Sequence, residues 1–504
     1  MKSKKLIITS KENLALKYGK RFSVIRKSIA ALIKADKKIG FQTSVVYLDD
    51  AASAKKAGIK SVKAVTAAAV KASIDLLYHK HIPAYILILG AQDVIPFVDI
   101  TNPADDDDAV VPSDLPYACE KPYSKNINDF TGPTRVVGRL PDVPGSNDPD
   151  YIVKLISNII KSKPIEAKSY ADYFSITCDE WKLSTKLSLK NIFGNFSKMF
   201  ISPPAGKKYS AAALRPLTHF YNCHGALSDF AYYGQKGKSY PQAIHSLQLD
   251  KKISYGTIVA AECCYGAELV DNTMLGINGQ ISICNQYLIN GALAFVGSST
   301  IAYGPVDSQG LADLITQYFL RNVHEGASTG RAMLEARQKF IAESGPSLDP
   351  YELKTLAQFN LMGDPSVLPV KPVIATRGNM VKENTIHNNR INLFNKGVNL
   401  KTVTARSVKQ TNITPSKNAA ASNSLLKQTH FTNADRKGLY NVESNAYKAK
   451  AVSRGSKALV NTPAKFRTFI KETSKPADKI TNIRILVVKE TNEDILGWKI
   501  YVSR

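Results

Sequence analysis

The chain has 504 residues, 44% hydrophobic and 22% charged, with a formal net charge of +25. That length and balance exclude a wholly disordered chain and allow two or three domains' worth of buried core. No stretch approaches the ~18 uninterrupted apolar residues of a spanning helix, and the N-terminal M-K-S-K-K-L-I-I-T-S-K-E-N is charged again after a short apolar run, so neither a membrane anchor nor a Sec leader is expected.

The charge is unevenly placed. From Lys371 to Arg504 there are 25 Lys and Arg against 8 Asp and Glu, a net +17, which leaves +8 for the first 370 residues. Basicity is therefore mostly a property of the tail. The six cysteines, Cys119, Cys178, Cys223, Cys263, Cys264 and Cys284, are too few and too irregular for a disulfide framework. A reducing, cytoplasmic location is the expectation.

In chain order, Lys5 to Thr9 is a short apolar run followed by the amphipathic stretch Glu12 to Asp36, which reads as strand then helix. Thr43 to Leu48 reads as a second strand, Ala51 to Leu77 as one or two helices, and Ala84 to Gly90 as a buried parallel strand ended by glycine. This alternation is that of an α/β sheet with crossover helices. An Asp-rich segment (Asp105 to Asp108) leads on to Thr134 to Pro141, and Tyr151 to Lys161 reads as a helix. A second αβ round starts at Ala171 to Cys178, with later strands at Leu217 to Gly225, Gly256 to Cys264 and Ala292 to Thr300. Helices fit between Asp307 and Arg321 and between Ser328 and Ala342.

The expected organisation is an N-terminal α/β subdomain (1–163), a second α/β subdomain (164–372), a basic linker-like or weakly ordered extension (373–480) and a C-terminal β-hairpin (481–504). The hairpin pairs Ile483 to Glu490 with Leu496 to Val502 through Thr491 to Asp494. A lone hairpin is marginal in water, so it is expected to dock or to belong to a small module.

Two strand ends carry nucleophile-type chemistry: Cys223-His224-Gly225 and Glu262-Cys263-Cys264-Tyr265-Gly266. Parallel strands deliver their carboxyl ends to one crevice, so a histidine and a cysteine can face each other there. An imidazole raises the reactive thiolate population, and glycines at the strand ends admit a substrate backbone. The competing reading is that buried cysteines at strand ends are inert core. His219, earlier on the same strand, reads as structural. A zinc site of Cys223, His224, Cys263 and Cys264 is disfavoured, because C-x-x-C spacing is absent and neighbours on a strand point to opposite faces. No metal or cofactor is expected.

The blocks A-Y-I-L-I-L-G-A-Q-D-V-I-P (Ala84 to Pro96), P-S-D-L-P-Y (Pro112 to Tyr117), V-V-G-R-L-P (Val136 to Pro141), F-Y-N-C-H-G-A (Phe220 to Ala226), V-A-A-E-C-C-Y-G-A (Val259 to Ala267), A-F-V-G-S-S-T (Ala294 to Thr300) and F-N-L-M-G-D-P-S-V (Phe359 to Val367) occur in the order of another family. With them the chain resembles the gingipain-like cysteine peptidases of the caspase-like clan, over roughly residues 1–370. The resemblance implies a caspase-like three-layer sandwich with a mostly parallel sheet and a smaller N-terminal α/β subdomain, and it implies peptide-bond hydrolysis. It also implies His224 as general base and acid, Cys264 as nucleophile with Cys263 as the alternative, and an oxyanion hole from the N–H groups of Gly225 and Cys264. Glu262 two before Cys264 and Gly266 two after favour Cys264, whereas a C-x-x-G pattern through Gly266 favours Cys263.

Clan members often bind a basic side chain through acidic groups. Glu262 and Asp114 are the candidates here, with Tyr303 as a pocket wall. For Asp114 a turn or helix cap weighs equally. The Asp105 to Asp108 run reads as a solvated loop, since calcium-loop spacing is absent. The expected partner is a polypeptide, including the chain's own basic extension as inhibitor or self-processed substrate. The rival is an inactive scaffold whose tail binds nucleic acid or a protein.

Overall fold

The computed structural model of the chain describes residues 3–206, 208–276, 279–344, 347–372, 409–410, 419–442, 464–473, 479–490 and 495–504. One ten-stranded sheet organises the first 370 residues. Its strands lie in the order Phe41–Tyr47, Ser3–Thr9, Tyr85–Leu89, Val137–Leu140, Phe359–Gly363, Ala294–Ser298, Ile258–Ala261, Thr218–Asn222, Tyr173–Cys178 and Met199–Ser202. Neighbours are parallel throughout except Phe359–Gly363 against Ala294–Ser298, which run antiparallel. Two parallel halves of opposite direction are thus joined along one seam. The strand at the seam comes from the end of the second half and pairs with Val137–Leu140 of the first.

Tyr85–Leu89 and Ile258–Ala261 are continuous apolar runs because both faces of the sheet are covered. One group of helices packs Phe22–Lys38 on Asp150–Lys161 and that on Ile283–Ile289; another packs Lys182–Phe193 on Ala312–His324 and that on Thr329–Ser344. The stretch expected as one helix from Glu12 breaks at Gly19 (φ +53°) into Lys11–Tyr18 and Phe22–Lys38, linked by a 3-10 turn. The Ser10 side chain caps the first by accepting from Asn13 N–H. Ala51–Ala57 ends at the left-handed Gly58, and Ala67–His81 follows as a separate helix capped by Thr66.

The Asp-rich segment is not a solvated loop. The Asp106 and Asp108 carboxylates are almost wholly buried and each lies 2.5 Å from Lys354 Nζ, while Tyr303 and Tyr265 hydroxyls donate to them at 2.7 Å. A buried ammonium thus turns an apparent acidic surface run into an internal clamp.

The C-terminal hairpin of Ile483–Glu490 and Ile495–Ser503 is present; its connecting residues lie outside the described ones. It belongs to a second, six-stranded sheet in the order Tyr303–Gly304, Ile495–Ser503, Ile483–Glu490, Ala464–Glu472, Arg436–Val442, Lys409–Gln410. Alternation serves both faces of this sheet. Ile483, Ile485, Val487 and Tyr501 join the main core, while Leu486, Val488 and Phe469 form a small separate core with Leu425, Leu426 and Phe431. Within the stretch read as linker-like, residues 419–442 and 464–473 therefore carry a helix and two strands; most of the remainder lies outside the described residues. Among the described residues no helix is long and apolar enough to cross a membrane.

Candidate active site

Thr218–Asn222 and Ile258–Ala261 are adjacent parallel strands, so Cys223-His224-Gly225 and Glu262-Cys263-Cys264 leave the sheet side by side. Their turns approach so closely that a Cβ on Gly225 would stand 1.7 Å from Cys264 O. Only glycine fits there. Directly after Cys264 the chain turns through Tyr265 at φ +52°, a left-handed conformation for a bulky residue that clusters at functional sites.

The doubled cysteine separates as neighbours on an extended chain must. Cys263 lies with Cys178 and Cys223 in the core, and burial raises its thiol well above the ordinary range. Cys264 turns the other way, where its Sγ accepts from Ala302 N–H at 3.3 Å and lies beside the Arg504 main chain. Burial pushes this thiol up to about 12.

His224 is fully buried, edge-on to Trp181 at 4.4 Å and to Tyr240 at 5.2 Å. Its Nε2 lies 2.7 Å from Gln235 Oε1, while the Gln235 amide nitrogen donates to Gly237 O at 3.0 Å. Because the amide nitrogen is spoken for, the oxygen faces the ring, and His224 Nε2 carries the hydrogen. The lone pair is then on Nδ1, a buried atom without a hydrogen-bond partner. Burial lowers the ring's pKa to about 4, against an opposing effect of Gln235. His219 has the structural place expected of it, with Nδ1 2.6 Å from Tyr287 Oη and Nε2 3.0 Å from Pro216 O.

Between the two strand ends lies a residue of the chain itself. Arg504 N–H donates to Ala302 O at 2.8 Å, and its carbonyl oxygen accepts from Cys264 N–H at 3.3 Å. The same main chain also reaches the His224 ring. The guanidinium is fully buried: Nη2 donates to Asp313 at 3.0 and 3.2 Å and to Pro305 O at 2.8 Å, and the group lies 4.6 Å over the Trp181 ring. A Cβ on Gly304 would sit 2.1 Å from that nitrogen, so glycine makes the room. Glu262 stands behind Asp313, accepting from Thr316 Oγ1 at 3.1 Å. Burial raises both carboxyls, more at Glu262, and Arg504 opposes the rise. Asp313 is the carboxylate paired with the guanidinium, and Glu262 lies behind it.

Of the residues read from sequence, His224, Gly225, Glu262 and Cys264 converge on one cleft, with Cys263 behind it. Tyr303 borders the cleft through its main chain, which pairs with Ser503, rather than through its ring, whose hydroxyl goes to Asp106. Asp114 lies elsewhere: its carboxylate takes Arg139 Nε at 2.8 Å and Nη2 at 2.6 Å in a buried fork. Asp313, Trp181 and Gln235 were missed. Asp313 reads as an ordinary acid in a first helical turn and Gln235 as loop. Trp181, just past the strand end at Cys178, carried a signal, since that strand also opens into this crevice. Among the described residues no three His, Cys, Asp or Glu side chains converge as a metal site.

Residues 216–370 match peptidase family C25. A solved structure titled "Structure of Protease" is similar at 14% identity with a TM-score of 0.48, covering 99% of this chain and 96% of that one. No curated protein matches. The family match spans both strand ends, the helix that bears Asp313 and the strand at the sheet's seam, so over these residues the chain is similar to peptidase family C25, a family of cysteine peptidases.

Proposed function

We propose that the chain is an endopeptidase that cuts after arginine, and less readily after lysine, with Cys264 as nucleophile and His224 as general base and acid. The observation that carries this reading is the seat of Arg504, whose carbonyl lies against Cys264 N–H and the His224 ring while its guanidinium lies on Asp313. That is the arrangement an acyl-side arginine needs before attack.

The chemistry follows from the tautomer. His224 Nδ1 takes the Cys264 proton as sulfur bonds to the carbonyl carbon, and the oxygen gathers charge on the Cys264 N–H. The C–N bond then breaks, with the proton passing from His224 to the leaving amine. Water, deprotonated by His224, adds to the thioester; the thiolate leaves and recovers the proton. Asp313 and the Pro305 carbonyl accept from a planar guanidinium, and the Trp181 face covers it; an ammonium offers fewer such contacts. Glu262 supports Asp313 rather than meeting the substrate directly.

The test is hydrolysis of Arg-, Lys- and Leu-terminated fluorogenic peptides by wild type, Cys263→Ala, Cys264→Ala and His224→Ala. Arg-directed cleavage that survives Cys263→Ala and is lost in the other two is the expected result. Cleavage that survives Cys264→Ala but not Cys263→Ala would move the nucleophile.

A further inference from the structure

We propose that Ile495–Ser503 together with Arg504 is a substrate-mimicking strap, acting in cis, that holds this cleft closed until it is displaced. The inference rests on the peptidase reading of the cleft and adds how that cleft is regulated.

The strap enters by strand addition. Ser503 pairs with Tyr303 and Val502 with Gly304, antiparallel, and Arg504 N–H continues the ladder onto Ala302 O. Extended peptides bind sheet edges in this way, with backbone bonds supplying affinity and alternate side chains supplying selectivity. The side-chain anchors are Arg504 on Asp313, Tyr501 Oη donating to Asp349 at 3.0 Å, and Lys499 Nζ 2.6 Å from Glu352. The neighbouring strand adds Asn482, whose Nδ2 donates at 2.7 Å to Oη of Tyr240, the ring beside His224. With the strap seated, Cys264 is 2% exposed and His224 fully buried, so no second peptide can reach them.

The seat is also built to be left. A groove of about 870 Å³ runs beside the strap, bordered by Trp181, Gln235, Pro305, Gly310, Trp498 and Val502. At its far end the strap pairs with Ile483–Glu490 and turns Leu496 and Trp498 to solvent, 53% and 46% exposed, so what seats it in the cleft is its last residues. Arg504 Nε and Nη1 are buried without hydrogen-bond partners, which weakens the seat. A tethered segment needs no better fit, because its effective concentration is of millimolar order. An imperfect ligand in cis excludes weak substrates and yields to a stronger competitor at the same edge.

The experiment compares full-length wild type with Arg504→Ala, following two readouts. One is the rate of iodoacetamide alkylation at Cys264, located by peptide mapping. The other is turnover of the Arg-terminated fluorogenic peptide. The expected result is a rise of about ten-fold or more in alkylation, corresponding to about 1.4 kcal/mol of lost closure. Turnover rises in parallel, and the added hexapeptide K-I-Y-V-S-R (residues 499–504) reverses both in the variant. Faster alkylation without any turnover would sustain the strap and sink the peptidase reading. Equal alkylation and equal turnover in the two proteins would overturn the strap while leaving the peptidase intact. Unchanged alkylation with no turnover, or no effect of the hexapeptide on a reactive variant, would also overturn it.

Discussion

Replacing Asp313 by Asn removes the charge that faces the guanidinium and leaves the pocket's volume in place. In the structure both oxygens of Asp313 lie 3.0 and 3.2 Å from Arg504 Nη2, with both side chains wholly buried. Breaking a buried pair of this kind is worth about 3–5 kcal/mol, since the surviving cation is left uncompensated. At about 1.4 kcal/mol per decade, kcat/KM for an Arg-terminated substrate should fall by roughly two to three and a half orders of magnitude. The measurement belongs on the Arg504→Ala background, where loss of the resident arginine does not mask loss of the incoming one. Steady-state hydrolysis of Arg- and Leu-terminated peptides gives the ratio that matters, and thermal melting checks that the variant is folded. An Arg-to-Leu preference unchanged by Asp313→Asn would refute the assignment of this pocket.

Gln235→Ala should lower kcat roughly ten- to hundred-fold with little change in KM, because it frees the His224 ring to adopt the wrong tautomer. Gln235→Glu keeps the acceptor and should restore most of the rate, while moving the acidic limb of the kcat profile upward as the carboxylate favours the imidazolium. Burial lowers His224 and His324 to about 4 and His219 to about 3, below the ordinary 6.5. The unfolded chain therefore binds more protons than the folded one between those values, and stability is lost as pH falls through that window. The loss at pH 5 should be about 2 kcal/mol per histidine relative to pH 8, read from urea unfolding. A midpoint flat from pH 8 to 5 would contradict neutral burial. Lys354→Met should destabilise by about 3–5 kcal/mol by leaving Asp106 and Asp108 facing each other without their cation. It should also slow turnover, because Asp108 holds the Tyr265 hydroxyl and Ile301 N–H on either side of the Cys264 turn; calorimetry and kinetics together check it.

The strand-and-helix alternation was legible because each element has its own period. Buried strands such as Tyr85–Leu89 are unbroken apolar runs, and helices such as Asp150–Lys161 present an apolar stripe. The two strand ends that carry His224 and Cys264 were legible as neighbours because parallel strands share a crevice and each end sits just beyond an apolar run. The seam strand Phe359–Gly363 was less so, since its partners lie far away at Val137–Leu140 and Ala294–Ser298. For Asp114 a substrate-binding carboxylate and a turn or cap weighed equally in the sequence, and its buried pairing with Arg139 rests on a contact only the fold makes.

By itself the sequence determined the α/β class, the resemblance to a cysteine peptidase family, the two reactive strand ends and the hairpin at the close of a basic tail. Those are properties of local period and short spacing, which neighbouring residues enforce on one another. Tertiary structure alone decided that Cys264 rather than Cys263 turns to the cleft, that Asp313 lies on the Arg504 guanidinium while Asp114 lies on that of Arg139, and that Arg504 sits between the two strand ends. Each depends on which way a side chain leaves its strand or on contacts across more than a hundred residues of chain. Burial and charge pairing fix such choices only once the sheet has brought the distant segments together.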